Sequence, residues 1–298
     1  MAKSLDPRVL NKISRLELRA RTIVEGFVSG LHRSPYHGFS VEFAAHREYA
    51  PGDDLKHLDW KVFGRSDRLY LKQYEQETNL VAHFLLDTSE SMAYTSGESS
   101  KLHYASLLTA SLAYLVTRQQ DAASLVLFDK NINKWIPPGS SQIHLRGIVS
   151  AIDTAVPHER TNIGHVLHEI AERLKKRGLV VLVSDLLDTP ENVISGLQHF
   201  KHKGHDVLVF QVLDEYELSF PFQRMTLFEG IEDTRRELIE PRSLREAYLA
   251  EVASFTAKMK SQCLAQKIDF IQLSNDQPLD VALATFLAAR LKRRVAQR

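Results

Sequence analysis

Predominantly apolar runs of strand length, separated by segments with helical periodicity, constrain the fold of this chain more than any other feature. They cover residues 80–86, 123–128, 179–183 and 206–212, and none of them contains Gly or Pro. Apolar strands that alternate with helices are typical of a parallel sheet covered by helices on both faces. We therefore predict an α/β fold with an open, mostly parallel, doubly wound sheet.

The remaining elements follow from periodicity and from turn residues. A short strand is predicted at residues 134–136 and a longer one at 268–273, and a closing helix begins near Pro278. The predicted helices cover residues of about 102–118, 142–156, 164–176, 190–203 and 243–267. These elements give a large α/β domain at residues 79–298, with an irregular insertion at about 216–241.

The first part of the chain differs from this pattern. Residues 1–28 have the periodicity of an amphipathic helix, and residues 29–78 read as a small, partly β region. A basic stripe on the helix consists of Arg8, Lys12, Arg15 and Arg19. It is either the solvated face of a helix packed on the domain or a contact with a membrane surface.

Composition excludes several classes of protein. The formal net charge of +1 gives no field that would attract nucleic acid. Cys263 is the single cysteine, which excludes an intramolecular disulfide and a cysteine-rich zinc site and fits a reducing compartment. No apolar run approaches the roughly 18 residues of a transmembrane helix, and residues 1–7 lack the apolar core of a signal peptide. We expect a cytoplasmic protein.

A polar motif ends the first apolar run. The sequence Asp87-Thr88-Ser89-Glu90-Ser91 presents a carboxylate and two hydroxyls in the spacing Asp-x-Ser-x-Ser. Ligands bind at the carboxyl ends of parallel strands, and such hard oxygen donors suit Mg²⁺, with Mn²⁺ or Ca²⁺ as alternatives. Asp87 and Ser89 could instead end the strand and cap the following helix.

Two more oxygen donors are expected at the same edge of the sheet. Thr161 lies in a loop before a predicted helix, and Asp185 follows the apolar run at residues 179–183. Thr161 could also be a helix cap and Asp185 an ordinary loop residue. Together with the strand-end motif they would form an oxygen-only ligand shell.

This set resembles the metal-ion-dependent adhesion site of von Willebrand factor A domains, and Asp87, Ser89, Ser91, Thr161 and Asp185 match its signature in order. A second block resembles the domain of unknown function 58 family, which is von Willebrand A-like and associated with MoxR-type ATPases. That block consists of Glu42-Phe43, residues 47–54, Asp59-Trp60 and residues 74–77. The resemblance implies a von Willebrand factor A or Rossmann-like sheet with a cation at its top edge.

The resemblance also implies how such a site works. Ser89 and Ser91 would bind the cation directly, and Thr161, Asp87 and Asp185 directly or through water. The last coordination position would accept an acidic residue of a client protein, and a MoxR-type AAA+ ATPase would act with the module in maturation or assembly of other proteins.

The alternative is a Mg²⁺- or Mn²⁺-dependent phosphoester hydrolase that uses Asp87 and Asp185. Hydrolysis would need a base or nucleophile beside the metal, which the sequence does not show. His83 lies inside a strand and is expected in the core. His165 and His168 share a helix face, but they lack ligand spacing to an acidic cluster, so zinc is not favoured. We therefore predict a non-enzymatic interaction module.

Overall fold

The computed structural model describes residues 15–33, 46–48, 70–72, 80–157, 162–230, 236–284 and 286. The chain divides into two compact units, one made of residues 1–25 and 80–298 and the other of Gly26–Asn79. In the smaller unit, β1 (His46–Glu48) pairs antiparallel with β2 (Tyr70–Lys72). The domain boundaries given above stay a prediction, because much of 29–78 lies outside the described residues.

The larger unit is built on a six-stranded sheet. Its strands are β3 (Val81–Asp87), β4 (Ala122–Phe128), β5 (Ile132–Gly139), β6 (Leu179–Ser184), β7 (Asp206–Leu213) and β10 (Asp269–Ser274). Their order across the sheet is β10-β7-β6-β3-β4-β5, and neighbouring strands run parallel except β5, which pairs antiparallel with β4. The predicted open, mostly parallel α/β sheet is confirmed.

Helices precede, connect and follow the strands of this sheet. They are α1 (Arg15–Arg33), α2 (Lys101–Arg118), α3 (Gln142–Asp153), α4 (Ile163–Arg173), α5 (Pro190–His202), α6 (Glu215–Ser219) and α7 (Pro241–Ala265), and residues 280–284 are also helical. Alternate side chains of a strand face opposite sides of the sheet. Leu85 therefore packs in a core cluster with α4, α5 and α7, whereas Phe84 lies against Phe286.

The edge strand β5 is longer than predicted. It covers Ile132–Gly139 and includes Pro137 and Pro138, whereas the sequence indicated only residues 134–136. Proline cannot donate a backbone hydrogen bond, so it is tolerated where one side of a strand is unpaired. Because β5 is the last strand of the sheet, it can continue through Pro137 and Pro138.

The segment between β7 and α7 has its own local structure. It contains α6 and a ribbon of β8 (Thr226–Glu229) and β9 (Arg236–Ile239), which pair antiparallel. Phe228 stacks on Phe220 and contacts Phe222, and this aromatic cluster holds the ribbon.

In the described ranges, no helix is both long enough and apolar enough to cross a membrane. The cytoplasmic location stays a prediction.

Candidate functional site

The order of the strands brings Asp87 and Asp185 to one point of the sheet. From β3 the chain proceeds to β4 and β5 on one side, and then crosses to β6 on the other side of β3. Asp87 is the last residue of β3, and Asp185 directly follows β6. The carboxyl ends of strands beside such a switch in direction form the crevice where open α/β sheets bind ligands.

Asp87 is fully buried and is held by hydrogen bonds from two sides. Its Oδ1 accepts the backbone N–H of Ser89 at 2.9 Å, and its Oδ2 accepts the hydroxyl of Ser184 at 2.5 Å. Burial, and then the charge of Asp185, raise the pKa of Asp87 to about 7, against the opposing effect of these hydrogen bonds. The carboxylate is thus positioned tightly but lacks a sufficient positive charge beside it.

Ser89 and Ser91 lie next to this carboxylate. Both are buried, and their Oγ atoms are 3.2 Å apart. Ser89 precedes a 3₁₀ turn at Glu90–Ala93, but its side chain makes no capping hydrogen bond there. The helix α2 is instead capped by Ser100, whose side chain accepts the N–H of His103. The alternative in which Ser89 caps a helix is therefore not observed, and its hydroxyl faces that of Ser91.

Asp185 is fully buried in the loop after β6. Its Oδ1 accepts the N–H of Leu187 at 3.2 Å, and its backbone oxygen accepts a hydrogen bond from Gln211 Nε2. The next residue, Leu186, has a φ of +62°, a left-handed conformation that costs about 1–3 kcal/mol for a side chain of this kind. Strain of this kind is typical of segments that hold a functional group in place.

A lysine that the sequence did not indicate completes this arrangement. The ammonium of Lys101, the first residue of α2, lies 2.8 Å from Asp185 Oδ2 and 2.8 Å from Glu217 Oε1. The side chains of Lys101 and Asp185 are fully buried, and that of Glu217 is 19% exposed. In the sequence Lys101 follows two serines at a helix start and carries no signal of burial, because its partners are brought to it only by the fold.

The charges in this cluster are balanced unequally. Burial alone would lower the pKa of Lys101, but the carboxylates of Asp185 and Glu217 outweigh it and hold that pKa above its usual value. Burial raises the pKa of Glu217 in spite of the opposing charge of Lys101. One ammonium therefore serves two carboxylates, and Asp87 adds a third to the same region.

A second polar network ties the surrounding loops together. The carboxylate of Asp214, which follows β7, accepts hydrogen bonds from the N–H of Ser96 at 2.9 Å and from Asn275 Nδ2 at 2.7 Å. Asn275 Nδ2 also lies 2.8 Å from the carbonyl oxygen of Ser99. The loop after β3 is thus fixed to the ends of β7 and β10, which supports the positions of Ser89 and Ser91.

These donors suit a divalent cation in chemical type. Two converging hydroxyls and buried carboxylates with excess negative charge are hard oxygen ligands of the kind that Mg²⁺ and Mn²⁺ prefer. Thr161 lies outside the described residues, so its place in such a shell stays a prediction. The described residues contain no group of three or more His, Cys, Asp and Glu side chains placed to hold a metal, so a cation here would depend on serine hydroxyls.

Known proteins with similarity to this chain include an uncharacterized protein of Mycobacterium tuberculosis, Rv1480, with 22% identity over 290 residues, 96% of this chain and 90% of that protein. Similar solved structures include BatB from Bacteroides thetaiotaomicron, with 17% identity, a TM-score of 0.47 and coverage of 72% of this chain and 99% of that chain. Another is the SpRpn10 VWA domain, with 10% identity, a TM-score of 0.42 and coverage of 68% of this chain and 93% of that chain.

The family model described as "Protein of unknown function DUF58" matches residues 45–258. This match covers most of the chain, including the sheet from β3 to β7 and both strand ends that carry Asp87 and Asp185. The chain belongs to the DUF58 family.

Proposed function

We propose that this protein is a non-enzymatic, metal-dependent protein-interaction module. Asp87, Ser89, Ser91, Thr161 and Asp185 would hold a divalent cation, with Mg²⁺ as the expected ion. The observation that carries this proposal is the convergence of the Ser89 and Ser91 hydroxyls beside the buried Asp87 carboxylate. Neither hydroxyl is used to cap a helix, and the nearby carboxylates exceed the positive charge of Lys101.

The ligand types explain why such a site would bind a partner. Ser89, Ser91 and Thr161 are neutral, so they would leave most of the charge on the cation. A cation bound there would supply an electrophilic centre for a carboxylate of another protein. Asp87 is held in place by Ser184, and Asp185 by Leu187 and Lys101, so the chain's own ligands are positioned before a partner arrives.

The electrostatics of the cluster exclude Lys101 as a general base for hydrolysis. A hydrolase needs a group that can accept a proton near the metal. The nitrogen that reaches Asp185 is that of Lys101, and two carboxylates hold its pKa above the usual value. This ammonium stays protonated at neutral pH and cannot act as a general base.

We further propose a MoxR-type AAA+ ATPase as the partner that acts with this module, and a client protein that supplies an acidic residue to the cation. This part of the proposal depends on the family resemblance of residues 42–77 and of the metal-site signature. Chaperone-like maturation or assembly of the client is the corresponding role.

The test is association with a MoxR-type ATPase from the same source, measured by pull-down in Mg²⁺ and in chelator. Ser89→Ala should strongly weaken capture of the ATPase, because it removes a direct ligand of the cation. The substitution introduces no charge and leaves no large cavity in the core. Ser254→Ala makes the same change at an exposed position of α7 and should capture the ATPase like the wild type. Equal capture by Ser89→Ala, or by chelator-treated protein, would contradict the proposal.

A separate assay tests the enzymatic alternative. We expect no turnover of generic phosphoesters in Mn²⁺ by the purified chain. Robust phosphatase activity that Asp87→Ala abolishes would replace the interaction module by a hydrolase.

A further inference from the structure

The helices α4 and α5 approach each other closely along one seam. A Cβ on Gly164 would lie 2.8 Å from the Cβ of Asn192, and a Cβ on Gly196 would lie 2.7 Å from the Cβ of Leu167. Both distances are shorter than real contacts of this kind, so the two glycines permit a separation that side chains would prevent. Side chains that face each other across this seam are therefore held at short, fixed distances.

Two histidines meet at this seam. His168 on α4 and His199 on α5 place their Nδ1 atoms 3.0 Å apart, and both side chains are half-buried. The sequence pairs His168 with His165 on the same helix face, but the fold supplies a closer partner from 31 residues further along the chain. Ring nitrogens at this distance share either a proton or another cation between them.

The outer nitrogens of the two rings have partners that bear on the protonation states. His199 Nε2 lies 2.9 Å from Glu172 Oε1. A carboxylate only accepts, so this Nε2 carries hydrogen, and the Nδ1 of neutral His199 presents a lone pair to His168. His168 Nε2 lies 3.3 Å from Ser195 Oγ, and this hydroxyl can either donate or accept.

We propose that His168 and His199 bind a divalent transition metal of the Zn²⁺ class through their Nδ1 atoms, joining α4 to α5. Imidazole nitrogens suit zinc, whereas the oxygen donors at Asp87 suit Mg²⁺, so this is a separate site with a different preference. In the metal-free protein His168 donates from Nδ1 to His199. On binding, Nδ1 of His168 loses its proton and Nε2 carries one instead, so no net proton is released; the Nε2–H then donates a hydrogen bond to Ser195 Oγ.

The distances agree with this assignment. Zinc–imidazole bonds of about 2.0–2.1 Å at a tetrahedral angle place two ligand nitrogens about 3.3 Å apart, so the seam need open by only a few tenths of an ångström. Glu172 holds the ring of His199 from outside, as carboxylates hold zinc-binding histidines in known sites. Lys203 lies 2.6 Å from the other oxygen of Glu172 and fixes that carboxylate. Water completes the coordination.

The experiment is a calorimetric titration of the full chain with zinc, in which the wild type is compared with four variants. The wild type should bind one equivalent that His199→Gln and His168→Gln each lose. His165→Gln removes an exposed histidine of the same helix and should keep that equivalent. Glu172→Gln should weaken binding about tenfold, because it removes only the partner of the ligand. Retention of wild-type zinc binding by His168→Gln and by His199→Gln would overturn the proposal.

Two further measurements keep the result interpretable. Long-range proton–nitrogen NMR of the wild-type protein should show two imidazole Nδ1 signals that shift together with zinc, and a uniform shift of all histidines would contradict the site. This readout needs no variant, so it holds even if a substitution impairs folding. Asp87→Ala should retain the zinc equivalent, which separates this site from the one proposed at the sheet edge.

Discussion

Two polar residues of the same strand, His83 and Asp87, lie in surroundings of opposite kind, one neutral and the other charged. Both lie on β3 and both are buried, with exposures of 2% and 0%. The ring of His83 bonds to the neutral hydroxyl of Ser124, at 2.7 Å from its Nδ1. Burial, and then the nearby His205, lower the pKa of His83 to about 4, so the middle of the sheet holds a neutral imidazole.

The carboxyl end of the strand instead collects charge. Asp87 and Asp185 repel each other there, and the ammonium of Lys101 is shared between Asp185 and Glu217. Buried ion pairs contribute little net stability over apolar residues of similar volume, because desolvation is costly. A charged cluster at a strand end, four residues from a neutralised histidine, is therefore better explained by a role in binding than by stability.

The largest expected effect breaks this charge cluster. Lys101→Met removes the counter-charge of the buried Asp185 carboxylate and of the partly exposed Glu217 carboxylate, and should destabilise the fold by about 3–5 kcal/mol. Urea unfolding in chelator, followed by circular dichroism, measures the change. Lys258→Met breaks an ion pair with Glu191 that is exposed on both sides and should have little effect. Equal stability of the two variants would show that the buried lysine is not needed as a counter-charge.

The next largest expected effect is a pH dependence of stability that comes from the buried, neutral His83. The folded protein holds the pKa of His83 at about 4, below the ordinary value of 6.5, so the unfolded chain binds a proton that the folded chain does not. Stability contributed at this position is present above pH 6.5 and is lost as the pH falls towards 4, by about 3 kcal/mol in all.

Urea unfolding at several pH values tests this pH dependence, by comparing the free energy of unfolding of the wild type with that of His83→Asn. The stability advantage of the wild type over His83→Asn should narrow from pH 7.5 to pH 4.5. His165→Asn, at an exposed position, should follow the wild-type curve. A constant advantage across this range would mean that His83 takes up its proton in the folded state.

A matched pair of serine substitutions compares the cost of losing one hydrogen bond to the charged Asp87 with that of losing one to the neutral His83. Ser184→Ala removes the donor to the Asp87 carboxylate and the acceptor of the Leu186 N–H, and should cost about 1.5–3 kcal/mol. Ser124→Ala removes the bond to His83 and should cost about 1 kcal/mol. Both serines are fully buried on strands next to β3, and the reverse order of costs in urea unfolding would contradict the difference in charge.

The sequence predicts those parts of the fold that depend on local patterns. The apolar runs before Asp87 and before Asp185 are strands β3 and β6, and helices α2 and α5 begin and end within a residue or so of their predicted limits. Periodicity determines these elements because each has a buried face of its own. The ends of β3 and β6 also follow, since a carboxylate after an apolar run cannot stay in the core unpaired.

The features that the sequence does not predict are those formed by distant segments. Lys101 is buried because Glu217, 116 residues away, and Asp185 meet at its ammonium. His199 reaches His168 only because glycines let α4 and α5 approach closely. The left-handed backbone at Leu186 has no signal in its residue type, since leucine rarely adopts it. In each case a tertiary contact decides what local propensity leaves open.

The most direct measurement is a calorimetric titration of the full chain with Mg²⁺ and Mn²⁺, comparing the wild type with Ser89→Ala and Ser254→Ala. The account predicts one saturable equivalent in the wild type and in Ser254→Ala, and its loss in Ser89→Ala. Binding that is unchanged in Ser89→Ala, or absent from the folded wild type, would contradict a cation site at the ends of β3 and β6.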